Sequence, residues 1–241
     1  MEKQKIPILM YHSIASPNKN EVMRSLHVKP ESFLTQMRII KALGYRGCSV
    51  SECMNAFAKG SNEKLIGLTF DDGYKNFYTK ALPVLLHFGF TATVYVVSGL
   101  VGKSNIWDKH NRISDNPLMT WGELQDTLHK KIEIGCHSMT HKSLTDQIDL
   151  NKEVRSAKSL LESKLSTPIT SFCYPYGHCN ERTVQEIERT GFSSATTMIR
   201  SRAAATDNQL LLPRIPVTWH TLPHLFVIKL LTGYEDRRRE C

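Results

Sequence analysis

The chain lacks the features that would mark it as secreted, membrane-spanning or disulfide-bonded. Its 241 residues contain no apolar run close to the roughly 20 residues that cross a bilayer. The opening Met1–Lys5 leads directly into Ile6–Met10, which is too short for the hydrophobic core of a secretory leader. The six cysteines show no tight metal-binding spacing. We therefore expect a cytoplasmic protein with reduced thiols.

Acidic residues are outnumbered by basic ones, since 31 Lys and Arg against 23 Asp and Glu leave a net charge of +8. Part of the excess lies in Arg237–Arg239. A basic surface suits nucleic acid, an anionic membrane face or a phosphorylated substrate. No nucleic-acid-binding motif is present, so we expect no nucleic-acid partner, while the membrane and phosphate alternatives stay open. The sequence does not predict an oligomeric state.

Internal repeats and low-complexity linkers are also absent, and a chain of this length suits one domain. Strand-like segments alternate with helical ones, and the strand, helix and strand from Leu65 to Val97 indicate a parallel βαβ unit. The predicted strands are Ile6–Met10, Leu65–Phe70, Thr91–Val97, Ile132–Cys136, Ser171–Tyr174, Phe192–Thr197 and Leu211–Val217. This alternation predicts an α/β fold with a mostly parallel sheet.

The sequence also predicts the local structure or the contacts of three further segments. Leu150–Leu165 is predicted to be an amphipathic helix whose polar face, including Glu153, is solvated. Trp107 lies in a long loop, where it either folds back as a hydrophobic plug or stacks on a sugar. The apolar stretch Leu222–Leu231 either packs on the body of the protein as a helix or contacts a membrane surface beside Arg237–Arg239.

Two adjacent carboxylates, Asp71 and Asp72, follow the buried strand Leu65–Phe70. The carboxyl end of such a strand is where α/β enzymes place their chemistry. Like charges at this distance raise one pKa unless a cation lies between them, so the pair predicts a bound metal or a shared proton. In the alternative interpretation, one Asp caps the next helix and the other is solvated.

Two histidines, His137 and His141, follow the strand Ile132–Cys136. At positions i and i+4 they fall on one side of a helical turn, close enough for both imidazoles to reach one ion. Alternatively, they are unrelated surface histidines. Together with Asp72 they would form a facial triad with open positions, suited to Zn²⁺, Co²⁺, Ni²⁺, Mn²⁺ or Fe²⁺. His12, which follows the first strand, is either a loop residue or a catalytic one.

The combination of motifs resembles a known family. Thr69–Gly73, His137-Ser138-x-x-His141 and Tyr174–Gly177 are similar, in order and spacing, to the polysaccharide deacetylases of carbohydrate esterase family 4, the NodB-homology domain. The opening Ile8–Ser13 is also similar to the start of many bacterial members. The resemblance implies a distorted (β/α)7 TIM-like barrel, formed here by a single domain over residues 1–241 with an apolar and basic tail at about 222–241.

The resemblance also implies roles for individual residues. Members typically remove acetyl groups from N-acetylated amino sugars with a divalent metal, here most simply Zn²⁺. The metal ligands would be Asp72, His137 and His141, and Asp71 would be the general base. The backbone N–H of Tyr176 would help to hold the oxyanion.

The chain departs from the family pattern at two points. Many members have an Arg where this chain has Cys173, so we nominate Arg214, on a late strand, to orient Asp71. Many members supply the general acid from a late Leu-x-His. Leu222-Pro223-His224 matches that string but lies in the apolar tail, so His12 is our first choice and His220 or His224 the alternatives.

These residues predict a metal-dependent hydrolase that removes the N-acetyl group from an N-acetylhexosamine unit of a glycan. A cytoplasmic enzyme would meet a lipid-linked or nucleotide-linked precursor, and the basic tail would suit a peripheral position at the inner face of the membrane. One alternative is hydrolysis of a non-sugar amide on the same metal site. Another is a catalytically silent carbohydrate-binding protein.

Overall fold

The computed structural model describes residues 5–17, 21–111 and 115–238. Ten strands lie within these ranges. They are β1 (Lys5–Ile6), β2 (Ile8–Tyr11), β3 (Arg46–Cys48), β4 (Leu65–Phe70), β5 (Thr93–Val96), β6 (Glu133–Cys136), β7 (Ser171–Cys173), β8 (Ser194–Arg200), β9 (Ala203–Ala204) and β10 (Leu212–Pro216). All seven predicted strands are therefore present, with ends that differ from the prediction by at most three residues.

Seven of the strands close into a parallel barrel, in the order β2, β4, β5, β6, β7, β8 and β10, with β10 pairing back to β2. The predicted distorted (β/α)7 barrel is confirmed. The short strand β3 pairs with the first half of β4, in the register Arg46 opposite Leu65. β5 pairs with the second half of β4, in the register Thr69 opposite Thr93. This shared edge is one source of the barrel's distortion.

Seven α-helices accompany the strands in the described ranges. They are α1 (Pro30–Ala42), α2 (Val50–Ala58), α3 (Leu82–Phe88), α4 (Trp121–His129), α5 (Ala157–Leu165), α6 (Glu181–Arg189) and α7 (Pro223–Leu231). Turns of π-helix, Phe77–Ala81 and Asn151–Ser156, precede α3 and α5. Capping boxes at Ser49, Thr120 and Asn180 satisfy the free N–H groups that begin α2, α4 and α6.

The main core lies between the barrel and its helices. Phe70, the last residue of β4, stacks on Tyr11 at 5.2 Å between ring centroids and meets Phe77 edge-on at 4.8 Å. All three rings are buried. Phe70, which directly precedes the two carboxylates, is thus held in place by packing. This packing sets the position of Asp71 and Asp72 at the end of β4.

Two parts of the fold were not predicted from sequence. The β3–α2 unit contributes a second apolar cluster that includes Cys48, Cys53 and Leu65. β1 and β9 form a two-residue antiparallel pair outside the barrel. Both are built from strands of only two or three residues, which carry too little pattern to identify from sequence.

The apolar C-terminal stretch packs on the protein as α7, with Phe226 and Leu230 in the main core. This agrees with the first of the two expectations for that segment. Within the described ranges, no helix has both the length and the apolar character needed to cross a membrane. The basic tail can be followed only in part, because Arg239 lies outside the described residues.

Candidate active site

One cavity of about 260 Å³ opens at the carboxyl ends of the barrel strands. Its lining includes all seven residues predicted from sequence to form the site: His12, Asp71, Asp72, His137, His141, Tyr176 and Arg214. Parallel pairing explains this convergence, because every strand of the barrel ends on the same face. The cavity is slightly smaller than the roughly 300–1,000 Å³ of typical ligand pockets.

The donor atoms of Asp72, His137 and His141 lie within 4.8 Å of one another. Asp72 Oδ1 is 3.4 Å from His137 Nε2 and 3.2 Å from His141 Nε2. This oxygen is buried and has no hydrogen-bond partner among the described residues. Two imidazoles and a carboxylate around an ion at ~2.0–2.2 Å would have nearly this separation. The residues therefore fit a small divalent metal.

A hydrogen bond to the main chain orients the imidazole of His137 toward the candidate metal site. His137 Nδ1 lies 2.7 Å from the carbonyl oxygen of Cys173. Because a carbonyl only accepts, Nδ1 carries a proton, and Nε2 is the nitrogen that faces Asp72. His137 also belongs to an overlapping group of possible ligands, Asp71, His137 and Cys173, and this contact distinguishes the set Asp72, His137 and His141 from that group. In that group the Asp71 carboxylate is already paired with Arg214.

The histidine segment is not the helical turn predicted from the i, i+4 spacing. Residues 137–142 are irregular, with positive φ angles of 62° at both Ser138 and His141. The prediction of convergence nevertheless holds, since the imidazole centroids are 4.7 Å apart. The loop is closed by a hydrogen bond from the His141 N–H to Ser138 Oγ.

Left-handed backbone is concentrated at this site. Of six described non-glycine residues with positive φ, four belong to it: Asp72, Ser138, His141 and Tyr176. Each such conformation costs about 1–3 kcal/mol and persists only where the surroundings enforce it. The strain is evidence, independent of the motifs, that these residues are held for function.

Glu153 is a site residue that the sequence analysis missed. It was expected on a solvated face but is 4% exposed. Its carboxylate accepts hydrogen bonds from Thr140 N at 2.9 Å and Thr140 Oγ1 at 2.6 Å. Its backbone carbonyl accepts from Met139 N at 3.0 Å. Glu153 thus fixes the loop that carries both histidines, and no pattern within its own helix distinguishes it from its exposed neighbours.

Asp71 is held by the guanidinium of Arg214 through two parallel hydrogen bonds, of 2.7 Å from Nη1 and 2.8 Å from Nη2. Arg214 also contacts Thr69 Oγ1 at 3.1 Å and Cys173 Sγ at 3.3 Å. The residue nominated to orient Asp71 is therefore in contact with it. Cys173 is small enough to leave room for this guanidinium, which reaches Asp71 from a later strand.

The three candidate general acids are placed very differently. His12 lines the cavity, with Nε2 at 3.7 Å from Asp71 Oδ2. His220 is exposed beyond the end of β10, and His224 is exposed in the first turn of α7. Neither lines the cavity. Geometry therefore favours the first choice made from sequence.

The rim of the site is aromatic. Trp107 stacks on His141 at 4.6 Å between ring centroids, and Tyr176 meets His141 edge-on at 4.7 Å. Trp107 also packs against a small apolar cluster that contains Tyr74 and Leu118. It is therefore anchored as a plug and at the same time lines the cavity.

The charges of the site follow from burial and pairing. Burial opposes ionisation of Asp71, but the charge and hydrogen bonds of Arg214, together with the neighbouring His12 and His137, outweigh it and lower the pKa of that carboxyl. For Asp72, burial is likewise outweighed, here by His137 and His141, and the pKa is held well below its ordinary value. Both carboxylates are thus anions at neutral pH. Burial lowers the pKa of His141, which favours its neutral, ligand form.

Comparison with known proteins agrees with the family resemblance of the motifs. The family model described as polysaccharide deacetylase matches residues 58–195, more than half of the chain. YxkH of Bacillus subtilis strain 168, assigned to the polysaccharide deacetylases, is 32% identical over 219 residues, covering 89% of this chain and 72% of that protein. A poly-β-1,6-N-acetyl-D-glucosamine N-deacetylase of Staphylococcus aureus strain MRSA252 is 22% identical over 250 residues, covering 95% of this chain and 83% of that protein.

Solved structures give the same result at the level of the fold. The Streptococcus pyogenes deacetylase PplD, solved in complex with acetate, aligns with a TM-score of 0.82 and 26% identity, covering 95% of this chain and 99% of that one. A polysaccharide deacetylase from Bacillus cereus aligns with a TM-score of 0.81 and 25% identity, covering 95% and 69%. The barrel, the motifs it brings together and these matches lead to one conclusion: the chain belongs to the polysaccharide deacetylase family.

Proposed function

We propose that the protein is a metal-dependent N-deacetylase that hydrolyses the acetamide of an N-acetylhexosamine unit. The observation that carries the proposal is the pairing of two carboxylates with different surroundings. Asp72 faces two imidazoles and is arranged as a ligand, while Asp71 faces Arg214 and is arranged as a base. Family membership supports the reaction class.

Asp72, His137 and His141 would hold the metal, for which Zn²⁺ suits the His₂Asp donor set and Co²⁺, Ni²⁺, Mn²⁺ or Fe²⁺ are alternatives. When bound, a divalent ion supplies Lewis-acid polarisation of the amide carbonyl and lowers the pKa of a water.

Asp71 would accept the proton of the attacking water. Arg214 keeps Asp71 ionised and fixes its orientation, and its two hydrogen bonds occupy only one lone pair on each carboxylate oxygen. A base that is held in place needs little reorganisation when the proton moves.

His12 would then donate a proton to the departing amine nitrogen, since it lines the same cavity as Asp71. The backbone N–H of Tyr176 would stabilise the negative oxygen that develops on the acetyl carbonyl carbon. Tyr176 and Gly177 have consecutive positive φ angles, of 58° and 70°, so the backbone at this rim is tightly constrained. A constrained donor is the kind that oxyanion stabilisation requires.

The sugar substrate is proposed as a glycan unit or its lipid-linked or nucleotide-linked precursor. The name of the S. aureus relative, which acts on an N-acetylglucosamine polymer, supports the amino-sugar class. The net charge of +8 supports an anionic partner, either a phosphorylated carrier or an anionic membrane surface. A cytoplasmic setting is consistent with the free thiols of Cys48, Cys53, Cys136, Cys173 and Cys179.

The deciding experiment is acetate release from free, nucleotide-linked and lipid-linked N-acetyl sugars by protein loaded with Zn²⁺ or Co²⁺. An Asp71→Asn variant serves as the control. Release that disappears in the variant supports the proposal and identifies the carrier. Absence of release from every sugar, with bound metal verified, would favour the alternatives of a non-sugar amide substrate or a silent carbohydrate-binding protein.

A further inference from the structure

Ser13, the residue after the candidate general acid His12, belongs to a buried polar network behind the active-site cavity. Its hydroxyl oxygen lies 2.8 Å from Asn76 Nδ2 and 3.0 Å from His27 Nδ1. The other ring nitrogen of His27, Nε2, lies 2.9 Å from a carboxylate oxygen of Glu21. Ser13, His27 and Glu21 are 1%, 3% and 6% exposed, and none of them lines the cavity.

The donors and acceptors of this network can be assigned from chemistry. The N–H of Ile14 can only donate and lies 3.0 Å from Asn76 Oδ1, so the amide nitrogen of Asn76 faces Ser13 and donates to its hydroxyl oxygen. The Ser13 O–H then donates to His27 Nδ1. This tautomer places the ring proton of His27 on Nε2, which faces the Glu21 carboxylate. Each polar hydrogen along the chain from Asn76 to Glu21 therefore has an acceptor.

The network fixes the backbone on the carboxyl side of His12. Ser13 forms two main-chain hydrogen bonds with the segment 26–28, of 3.0 Å from its N–H and 2.9 Å to its carbonyl oxygen. On the amino side of His12, the carbonyl of Tyr11 accepts from Asp71 N at 2.9 Å within the barrel. His12 is thus held between the barrel and the network, where its Nε2 stands 3.7 Å from Asp71 Oδ2.

The same contacts close the segment 21–27, which forms one wall of the cavity. Glu21 and His27 stand at its two ends, and the contact between their side chains joins those ends. Between them, Met23, Ser25 and Leu26 line the cavity. Burial of a carboxylate is unfavourable unless it is paired, so the pairing of Glu21 with His27 favours the closed form of this segment.

Serine, histidine and an acid in this order also occur in nucleophilic triads. Ser13 does not suit that role, because its hydroxyl is buried, accepts a hydrogen bond from Asn76 and does not line the cavity. The network therefore acts on the position of its neighbours rather than on a substrate.

We propose that Ser13, His27 and Glu21 are positioning residues for the general acid, and that they hold His12 where its ring reaches the departing amine. The inference rests on the deacetylase function and on the role of His12 given above. Misplacement of a reacting group by about 1 Å can cost about 10²-fold in rate. Loss of the Ser13 hydroxyl leaves the His12 ring intact and only loosens its position, so we expect a smaller loss of about tenfold.

The test uses two substrates that differ in their need for a general acid. The N-acetyl sugar that proves best in the acetate-release experiment expels an amine, which must be protonated, whereas 4-nitrophenyl acetate expels a phenolate that needs no proton. In Zn²⁺-loaded protein, Ser13→Ala should lower kcat on the amide about tenfold and change KM by less than about twofold. Its hydrolysis of the ester should stay within about twofold of wild type.

Ser194→Ala is the matched control, since Ser194 is another buried serine, hydrogen-bonded to Ser171 at the amino end of β8. It should leave both substrates unaffected, while His12→Ala should show the selective loss on the amide. Amide turnover by Ser13→Ala equal to that of the control would overturn the inference. Equal losses on amide and ester would do the same, because they would indicate general damage to the site.

Glu21 provides a second pair of variants. Glu21→Ala should also lose amide turnover selectively, because the effect passes through His27 and Ser13 to His12. Glu21→Gln keeps an acceptor oxygen for His27 Nε2 and should recover most of the activity. Equal amide turnover by Glu21→Ala and wild type would contradict the proposed role of this carboxylate.

A spectroscopic measurement separates this inference from the proposed function. In metal-free protein labelled with ¹⁵N in histidine, the ring signals of His12 are those missing from His12→Ala. Displaced or broadened His12 signals in Glu21→Ala, but not in Glu21→Gln or Ser194→Ala, would support the positioning role even if no acetate is released from any sugar. Acetate release by wild type together with unchanged His12 signals in Glu21→Ala would leave the deacetylase standing and remove the positioning role.

Discussion

Substitution of Glu153 tests whether the metal ligands depend on a residue outside the metal site. The side chain is 4% exposed and accepts two hydrogen bonds from Thr140, between the two histidines in sequence. Hydrogen bonds to a charged group contribute about 1.5–3 kcal/mol each. Glu153→Gln keeps one acceptor oxygen for the Thr140 N–H and can donate from its amide to Thr140 Oγ1, so it should lose only the part of these bonds that the negative charge supplies. Glu153→Ala loses both.

Part of this loss should appear as weaker metal binding, because the loop that holds His137 and His141 is no longer fixed. Groups that orient ligands from outside the coordination sphere typically change metal affinity by about 10-fold to 100-fold. We therefore expect the Kd for Zn²⁺ to rise by about that factor in Glu153→Ala and by less in Glu153→Gln. Competition with a chelating dye measures the Kd, and urea unfolding measures the accompanying loss of stability.

Lys152→Ala is the matched control, since Lys152 is the exposed neighbour of Glu153 on the same π-helical turn. It should bind metal like wild type. The reasoning is refuted if Glu153→Ala is folded and binds Zn²⁺ as tightly as the control. In that case the loop would be held by its own Ser138 hydrogen bond and by the main chain.

Three other changes probe the site and the fold. His12→Ala should lower kcat roughly 10²-fold or more with metal stoichiometry preserved, because a general acid is lost; unchanged acetate release would transfer the role to His220 or His224. Arg214→Met leaves a buried Asp71 anion without its partner and should reduce the free energy of unfolding by about 3–5 kcal/mol, which an unaltered urea midpoint would contradict. Burial opposes ionisation of Asp236, but hydrogen bonds and charge from Arg202 and Lys5 outweigh it and lower the pKa of this carboxyl. The ionised Asp236 therefore contributes its full stabilisation of the fold above the ordinary Asp pKa of about 3.9, and this contribution is lost as the pH falls below that value. Asp236→Asn should therefore be less stable than wild type at pH 7, and a difference that persists undiminished at pH 2 would count against this origin.

Much of the site could be predicted because its residues lie in short sequence motifs. Asp71, Asp72, His137 and Tyr176 each directly follow a strand or an adjoining turn, and parallel strands bring such positions to one face. The parallel βαβ pattern predicted the sheet for the same reason, since hydrophobic runs and helix periodicity are local properties. The i, i+4 spacing of the histidines predicted their convergence but attributed it to a helical turn that does not exist.

Contacts between distant segments could not be read in this way. Arg214 was nominated as the partner of Asp71 from the departure at Cys173 and not from a local pattern, since the two residues are 143 apart in sequence and meet through the closure of the barrel between β10 and β2. Glu153 is distinguished from the solvated residues of its helix only by the loop that packs over it.

The sequence by itself determined the family, the barrel of alternating strands and helices, and the identity of the residues in the cavity, because motifs and periodicity depend on neighbours along the chain. The tertiary structure alone decided how the loop that carries both histidines is folded and which buried carboxylate holds that loop in place. Those outcomes depend on burial and on distances across the barrel, and such distances exist only once the core has packed.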